Sequence, residues 1–138
     1  MVIISQATLN EIKAAALAAY PLECCGLLSG VRSSTDTWRV MQAHPTRNVA
    51  VDPQRWFEVD PSTHLRLQRE LRDAGQAVIG HYHSHPDGVP APSAADLAAA
   101  QDPGLMWLIV AVSGGQAAVS AYCFKGAGFA KLDLSILS

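Results

Sequence analysis

The sequence predicts one α/β domain, a β-sheet with helices packed on it, and three observations lead to this prediction. The chain has 138 residues, which suits one domain and is short for two. Hydrophobic residues make up 49% of the chain and charged residues only 16%, so we expect a buried core and exclude a disordered chain. Helical and strand patterns alternate along the chain, which favours a sheet covered by helices.

The first predicted elements are a helix and two strands. The helix covers about residues 6–20, where apolar side chains recur at the helical period; Ser5 is a candidate N-cap and Pro21 ends the helix. A short buried strand is predicted over residues 23–30, ending in a glycine turn. A second strand is predicted over residues 37–43.

A second helix follows residues 44–59, a segment predicted to be irregular because prolines interrupt it. Asp60 is the expected cap, Pro61 the first helical position and Gly75 the stop signal. The residues expected on its buried stripe are His64, Leu67, Leu71 and Ala74.

The C-terminal half is predicted to hold the remaining strands and one short helix. The predicted elements are a strand over 76–85, a proline-rich loop over 86–92, a helix from about Ser93 to Gln101, hairpin strands over 105–112 and 117–124, and an edge strand over 129–132.

Composition argues against several classes of function. The net charge is -2, with 10 Lys+Arg against 12 Asp+Glu, so the chain lacks the basic surface of a nucleic-acid-binding protein. No apolar run approaches the roughly 20 residues of a membrane span, and the N-terminus does not resemble a signal peptide. Three cysteines, two of them adjacent, predict reduced thiols in a cytoplasmic protein. We expect a monomer or a homodimer.

Three of the five histidines lie within five residues: His81, His83 and His85. On a strand these side chains point to the same face, and two of them could reach one metal ion. The cluster alone is weak evidence, because it would also suit a half-exposed polar face.

Ser93 and Asp96 follow at the predicted start of the third helix. Ser-x-x-Asp is an ordinary helix-capping pattern. A carboxylate at this place would also complete a His-His-Asp set, and catalytic zinc keeps three protein ligands with an open fourth position. Both interpretations are compatible with the sequence.

The combined pattern is far more specific than its parts. The chain reads His83-Ser84-His85-Pro86, six residues, Ser93, two residues, Asp96, with Glu23 well upstream. It resembles the JAMM (MPN+, Mov34/MPN/PAD-1) metallopeptidase motif, and the segments around Glu23 and Asn48 look like those of small stand-alone bacterial members. This resemblance implies one domain over residues 1–138 with the JAMM/MPN fold, which is cytidine-deaminase-like: a central mixed, curved β-sheet flanked by about three helices.

The resemblance also implies the role of each residue in the motif. His83, His85 and Asp96 would bind one zinc ion per chain, with water as the fourth ligand. Glu23 would be the general base that activates this water, and Ser93 would stabilise the oxyanion. The further candidates, for substrate contact or for support of the site, are His81, Ser84 and Asn48.

The implied reaction is hydrolysis of an amide bond at the Gly-Gly-type C-terminal tail of a ubiquitin-like or sulfur-carrier protein, including release of cysteine or another amino acid. We expect the tail to lie along a sheet edge. One alternative is a non-catalytic MPN scaffold or binding module. A zinc deaminase is disfavoured because the H-x-E and P-C-x-x-C signature is absent. A thiol peptidase that uses Cys24 or Cys25 is the remaining alternative.

Overall fold

The computed structural model describes residues 1–33, 36–100 and 102–138. Within these residues it contains three helices and eight strands, which confirms the predicted α/β class. In chain order they are β1 (Val2–Ser5), α1 (Gln6–Ala19), β2 (Cys25–Ser33), β3 (Thr37–Thr46), α2 (Pro61–Arg72), β4 (Ala77–His85), α3 (Ala94–Ala99), β5 (Met106–Ser113), β6 (Gln116–Phe124), β7 (Phe129–Leu132) and β8 (Leu134–Leu137).

All the strands described form one sheet in the order β7-β6-β5-β4-β2-β3-β1-β8. The sheet is mixed and curved: β4 is parallel to β5, β1 is parallel to β3 and β8, and the other pairs are antiparallel. The middle of the sheet is therefore β4 and β2, the two strands that carry or adjoin the His and Glu of the motif.

Helix α1 covers one face of the sheet. Its buried residues Leu9, Ile12 and Ala16 pack in a core with the inward side chains of the central strands, such as Leu28 and Leu108. The Ser5 hydroxyl accepts a hydrogen bond from the Thr8 amide at 3.0 Å, a cap that typically contributes about 1 kcal/mol. The predicted helix and its cap are confirmed.

Helix α2 packs on the opposite face, where Leu71 contacts Leu27 and Val78. Its start at Pro61 after the capping Asp60 is confirmed. The predicted stripe is only partly correct, because Ala74 is exposed while His64 and Leu67 are half-buried. The helix ends at Arg72, so Ala74 lies in the turn before Gly75 and no longer faces the sheet.

Two strands run further than predicted. β2 does not end at Gly30 but continues to Ser33 with a register shift beside Ser29. A Cβ at Gly30 would collide with the backbone carbonyl of Arg39, so this glycine allows a close approach rather than a turn. β3 continues through Pro45, which the sequence placed in an irregular segment. Because β1 pairs only with the start of β3, no strand lies on the second side of Pro45, and the absence of its N–H is tolerated there.

The ends of the chain and the third helix also differ from the prediction. β1 and β8 were not predicted; they pair with each other and extend the sheet beyond β3. Helix α3 covers Ala94–Ala99, and Gln101, where it was expected to end, lies outside the described residues. The hairpin and the edge strand over 129–132 are confirmed. None of the helices among the described residues has the length and hydrophobicity of a membrane span.

Candidate metal and catalytic site

The C-terminal end of β4 brings His83 and His85 to one face of the sheet. Both side chains are buried, and their Nε2 atoms lie 3.0 Å apart. Each residue is fixed by the ladder that β4 shares with the adjacent β5, in which His83 pairs with Ile109 and His85 with Ala111. The expected shared direction of these two side chains therefore follows directly from strand geometry.

Helix α3 supplies the carboxylate through its capping box. The Ser93 hydroxyl accepts from the Asp96 amide at 3.0 Å, and Asp96 Oδ2 accepts from the Ser93 amide at 2.8 Å. This arrangement aims the carboxylate at the histidines: Oδ2 lies 3.2 Å from His85 Nε2, and Oδ1 lies 3.2 Å from His83 Nε2. The capping and ligand interpretations of Ser-x-x-Asp thus describe the same structure.

The donor set fits a metal ion. His83, His85 and Asp96 each offer one ligand atom, and these atoms lie within 4.8 Å of one another. The carbonyl of Val89 can only accept, so His85 donates to it through Nδ1 at 2.9 Å, and Nε2 of the neutral ring keeps its lone pair for a ligand. Although burial opposes it, the two histidine rings beside the Asp96 carboxylate hold its pKa well below its usual range. Two imidazoles and a carboxylate suit catalytic zinc.

Aromatic packing holds the His83 ring. Phe57 stacks on it with ring centroids 4.2 Å apart and an interplanar angle of 14°, and Trp107 meets it edge-on at 5.8 Å. Phe57 comes from the irregular segment before α2 and was not predicted as a site residue. Its only sequence signal was the similarity of this segment to the family.

Glu23 lies just before β2 and is 6% exposed. It lines a cavity of about 460 Å³ together with His85 and Ser93. Within the described structure its Oε1 has no hydrogen-bond partner. Burial raises the pKa of Glu23 to about 7, with the charge of His85 acting in the opposite direction. This carboxyl can therefore both hold and release a proton near neutral pH.

Asn48 and Ser84 hold the backbone that carries Glu23. The Asn48 amide donates to the carbonyls of Glu23 and Trp56, both at 3.0 Å. Ser84 Oγ accepts from the Cys24 amide at 2.8 Å, and the Ser84 amide donates to the Cys24 carbonyl at 3.1 Å. Neither side chain lines the cavity, and both contact the backbone at Glu23 and Cys24.

His81 lies beside the cluster and outside the group of metal-ligand atoms. Its ring packs 4.3 Å from Trp107 and 5.5 Å from Phe57, with centroids 6.3 Å from His83. Burial lowers the pKa of His81 to about 3, which keeps it neutral. The structure places it in the aromatic packing around the site.

Two walls border the cavity. The predicted proline-rich loop forms one through Pro86, Asp87 and Val89, and Gln54 and Arg55 contribute to the other. Sequence reasoning missed Gln54 and Arg55, because no spacing marks an isolated polar residue in a turn. The edge strands β7 and β8 contribute no described residue to this lining, and the expectation that the tail lies along a sheet edge stays a prediction.

The adjacent cysteines do not form a reactive site. Cys25 is buried and Cys24 half-buried, and neither lines the cavity. Burial raises the pKa of both thiols above the usual value, which disfavours the thiolate that a nucleophile needs. The thiol-peptidase alternative therefore lacks structural support.

Known proteins share this arrangement of sequence and fold. Residues 5–123 match the family described as prokaryotic homologs of the JAB domain. The chain is 35% identical over 116 residues to a desampylase of Haloferax volcanii, covering 84% of this chain and 79% of that protein. It is 29% identical over 101 residues to a CysO-cysteine peptidase of Mycobacterium tuberculosis, covering 73% of this chain and 66% of that protein.

A solved structure is similar over nearly the whole chain. The solution structure of protein DSY2949 from Desulfitobacterium hafniense superposes with a TM-score of 0.86 at 31% sequence identity. The match covers 99% of this chain and 93% of that one. The fold described above is thus shared by that protein.

Proposed function

Because the chain belongs to the prokaryotic JAB-domain family, the JAMM/MPN family that the motif resembles, we propose that it is a zinc-dependent peptidase or isopeptidase. One domain over residues 1–138 would hydrolyse an amide bond at the C-terminal tail of a ubiquitin-like or sulfur-carrier protein. The observation that carries the proposal is the buried His83–His85–Asp96 cluster, whose His85 lines one cavity together with Glu23.

His83, His85 and Asp96 would hold one zinc ion per chain. When bound, zinc supplies a Lewis acid that polarises the scissile carbonyl and lowers the pKa of water to about 7. Glu23 would take a proton from the attacking water at its unpaired carboxyl oxygen and deliver it to the leaving nitrogen. A pKa of about 7 suits both transfers.

Ser93 would stabilise the negative charge that develops on the carbonyl oxygen. The Ser93 hydroxyl oxygen accepts a hydrogen bond from the Asp96 amide, so the hydroxyl hydrogen remains available for donation into the cavity that Ser93 lines. Removal of one such donor costs about 10²–10³ in rate in other enzymes. The same side chain would therefore cap α3 and take part in catalysis.

Relatives support the substrate class. The curated relatives carry the names desampylase and CysO-cysteine peptidase, and we extend to this chain an action on a small carrier protein; the Gly-Gly-type tail follows from the resemblance of the motif. A cytoplasmic location belongs to the same proposal, and the three free cysteines fit it. The proposal includes no nucleic-acid or membrane partner.

The non-catalytic scaffold is the weaker alternative. A scaffold has no need for a complete donor set or for a buried carboxyl with a raised pKa, and this chain has both. Nothing in the cavity favours a deaminase over a peptidase.

The test is hydrolysis of a carrier protein whose Gly-Gly tail is extended by a short peptide. We expect cleavage after the second glycine, loss of cleavage with a zinc chelator and recovery on adding zinc. Thiol alkylation serves as the matched control and should leave cleavage intact. Cleavage that alkylation abolishes and chelation does not affect would contradict the zinc mechanism.

A further inference from the structure

Arg55 borders two neighbouring cavities. It lines the candidate catalytic cavity together with Glu23, and it also lines a cavity of about 280 Å³ that includes Tyr20 and Pro21. Pro86 and Asp87 border both spaces, so the two are adjacent. A group that reaches from the first cavity towards the second would pass Arg55.

Arg55 is the only lysine or arginine among the described residues that line the two cavities, whereas Glu23 and Asp87 contribute acidic side chains. Its ion pair with Asp52 is weak: Arg55 Nε lies 3.9 Å from the Asp52 carboxylate, and the Arg55 side chain is 86% exposed. The terminal amino groups of the guanidinium are therefore available, and such a group binds a carboxylate through two parallel hydrogen bonds.

The backbone fixes Arg55 relative to the catalytic base. The Arg55 amide donates to the Asp52 carbonyl at 3.1 Å, which closes a tight turn. The next residue of that turn, Pro53, accepts from the Glu23 amide at 2.7 Å. The base and the arginine thus belong to one hydrogen-bonded unit.

The position of Glu23, the proposed proton donor, indicates which part of the substrate would lie near Arg55. Glu23 delivers its proton to the leaving nitrogen, so the leaving group lies on the Glu23 side of the scissile bond. Val89, Ala91 and Ser93 line this cavity but not the neighbouring one, so the glycine tail of the carrier would lie beside them. The leaving group would then lie towards Arg55.

We propose that Arg55 binds a free carboxylate on the leaving group. This inference rests on the proposed function and names its substrate: a carrier tail extended by one or a few amino acids with a free C-terminus, rather than a lysine isopeptide. Water supplies a hydroxyl to the acyl carbon and a hydrogen to the nitrogen as the C–N bond breaks, so a free amino acid or short peptide leaves and no other reactant is needed.

The experiment compares carrier tails that differ in the charge of the leaving group. The substrates are a Gly-Gly carrier extended by one alanine, the same tail ending in a carboxamide, a two-alanine extension and a lysine isopeptide. Rates are measured with the zinc-loaded protein. Binding of each uncleaved substrate is measured in Glu23→Gln, with and without Arg55→Gln, so that affinity is read without turnover.

We expect kcat/KM and affinity to be about tenfold higher for the carboxylate than for the carboxamide, as a charge-assisted hydrogen bond implies. In Arg55→Gln the carboxylate substrate should fall to the level of the carboxamide, and Arg55→Lys should restore part of the preference. Comparison of the substrates extended by one and by two alanines shows at which distance from the scissile bond Arg55 binds the carboxylate best. Arg66→Gln, an exposed arginine of α2 paired with Glu70, is the matched control.

The inference is overturned if carboxylate and carboxamide react and bind equally, if Arg55→Gln weakens both to the same degree, or if the isopeptide is the best substrate. Cleavage of the isopeptide without any charge preference would still support the proposed function. A zinc-loaded protein that cleaves none of the substrates would instead contradict the proposed function. The binding measurements with Glu23→Gln would then still show whether Arg55 binds the carboxylate.

Discussion

The two sides of the cavity are built in opposite ways. On the β4–α3 side, the functional groups touch one another: His83, His85 and Asp96 lie within 4.8 Å and are buried. On the other side, Glu23 is held only through its backbone, by Asn48, Pro53 and the Ser84–Cys24 contact, while its carboxyl oxygen Oε1 has no partner in the described structure.

This difference separates two tasks. Mutual contacts on the ligand side create a compact donor set that fits a cation, because three side chains with lone pairs converge there. The isolated carboxyl on the other side has a raised pKa because burial penalises its charge. Under the proposed function, metal binding and proton transfer would therefore depend on different residues, and mutations should affect them separately.

The largest effect is expected on the ligand side. His83→Ala removes one of the three proposed zinc ligands. Mutation of a residue that only hydrogen-bonds to a metal ligand typically lowers metal affinity about 10–100-fold. Loss of a ligand should lower zinc affinity by more than this, and hydrolysis should be abolished. Metal content after dialysis and hydrolysis of the carrier tail check this. His81→Ala is the control, and it should retain zinc. Equal loss of zinc in both variants would contradict the claim that His83 is a zinc ligand and His81 is not.

A smaller effect is expected from the backbone support of Glu23. Asn48→Ala deletes two hydrogen bonds to carbonyls and the acceptor for the amides of Ala50 and Glu58. Glu23 would shift, and a shift of about 1 Å can cost about 10² in rate. We expect kcat to fall by up to this factor with zinc content unchanged. The exposed Asn10→Ala is the control, and zinc loss in Asn48→Ala would show that the two sides are coupled.

The smallest effect concerns stability and pH. The pKa of Glu23 rises from 4.5 to about 7 on folding, so the folded state binds this proton more tightly than the unfolded chain. Its contribution to stability is present below pH 4.5 and is lost as pH rises through 7. In metal-free protein, Glu23→Gln should therefore gain stability over wild type between pH 5 and pH 8, by about 1–3 kcal/mol.

Denaturant unfolding in the presence of chelator at these two pH values measures that gain. Glu58→Gln, at an exposed position, is the control for a general effect of removing a negative charge. The same stability difference at both pH values would contradict the assignment of the raised pKa to Glu23.

The sequence could predict the regular parts of the site because they depend on local rules. Strand alternation placed His83 and His85 on one face, and the capping pattern placed Asp96 at the start of α3. Glu23 was identified only by resemblance, since its approach to the cluster depends on long-range pairing of β2 with β4.

Features without a residue pattern escaped prediction. The Val89 contact with His85 is made by a backbone carbonyl, which any residue provides. Phe57 and Arg55 lie in an irregular segment whose course depends on tertiary contacts. The four-residue strands β1 and β8 are defined by pairing between the chain ends, which no short-range pattern reveals.

The central claim is that zinc binding and proton transfer rest on different sides of the cavity, and Glu23→Gln tests it most directly. Zinc content and hydrolysis of the carrier tail are measured on the same preparation, beside wild type. The account predicts one zinc per chain with hydrolysis lost. Hydrolysis at the wild-type rate, or loss of the zinc, would contradict it.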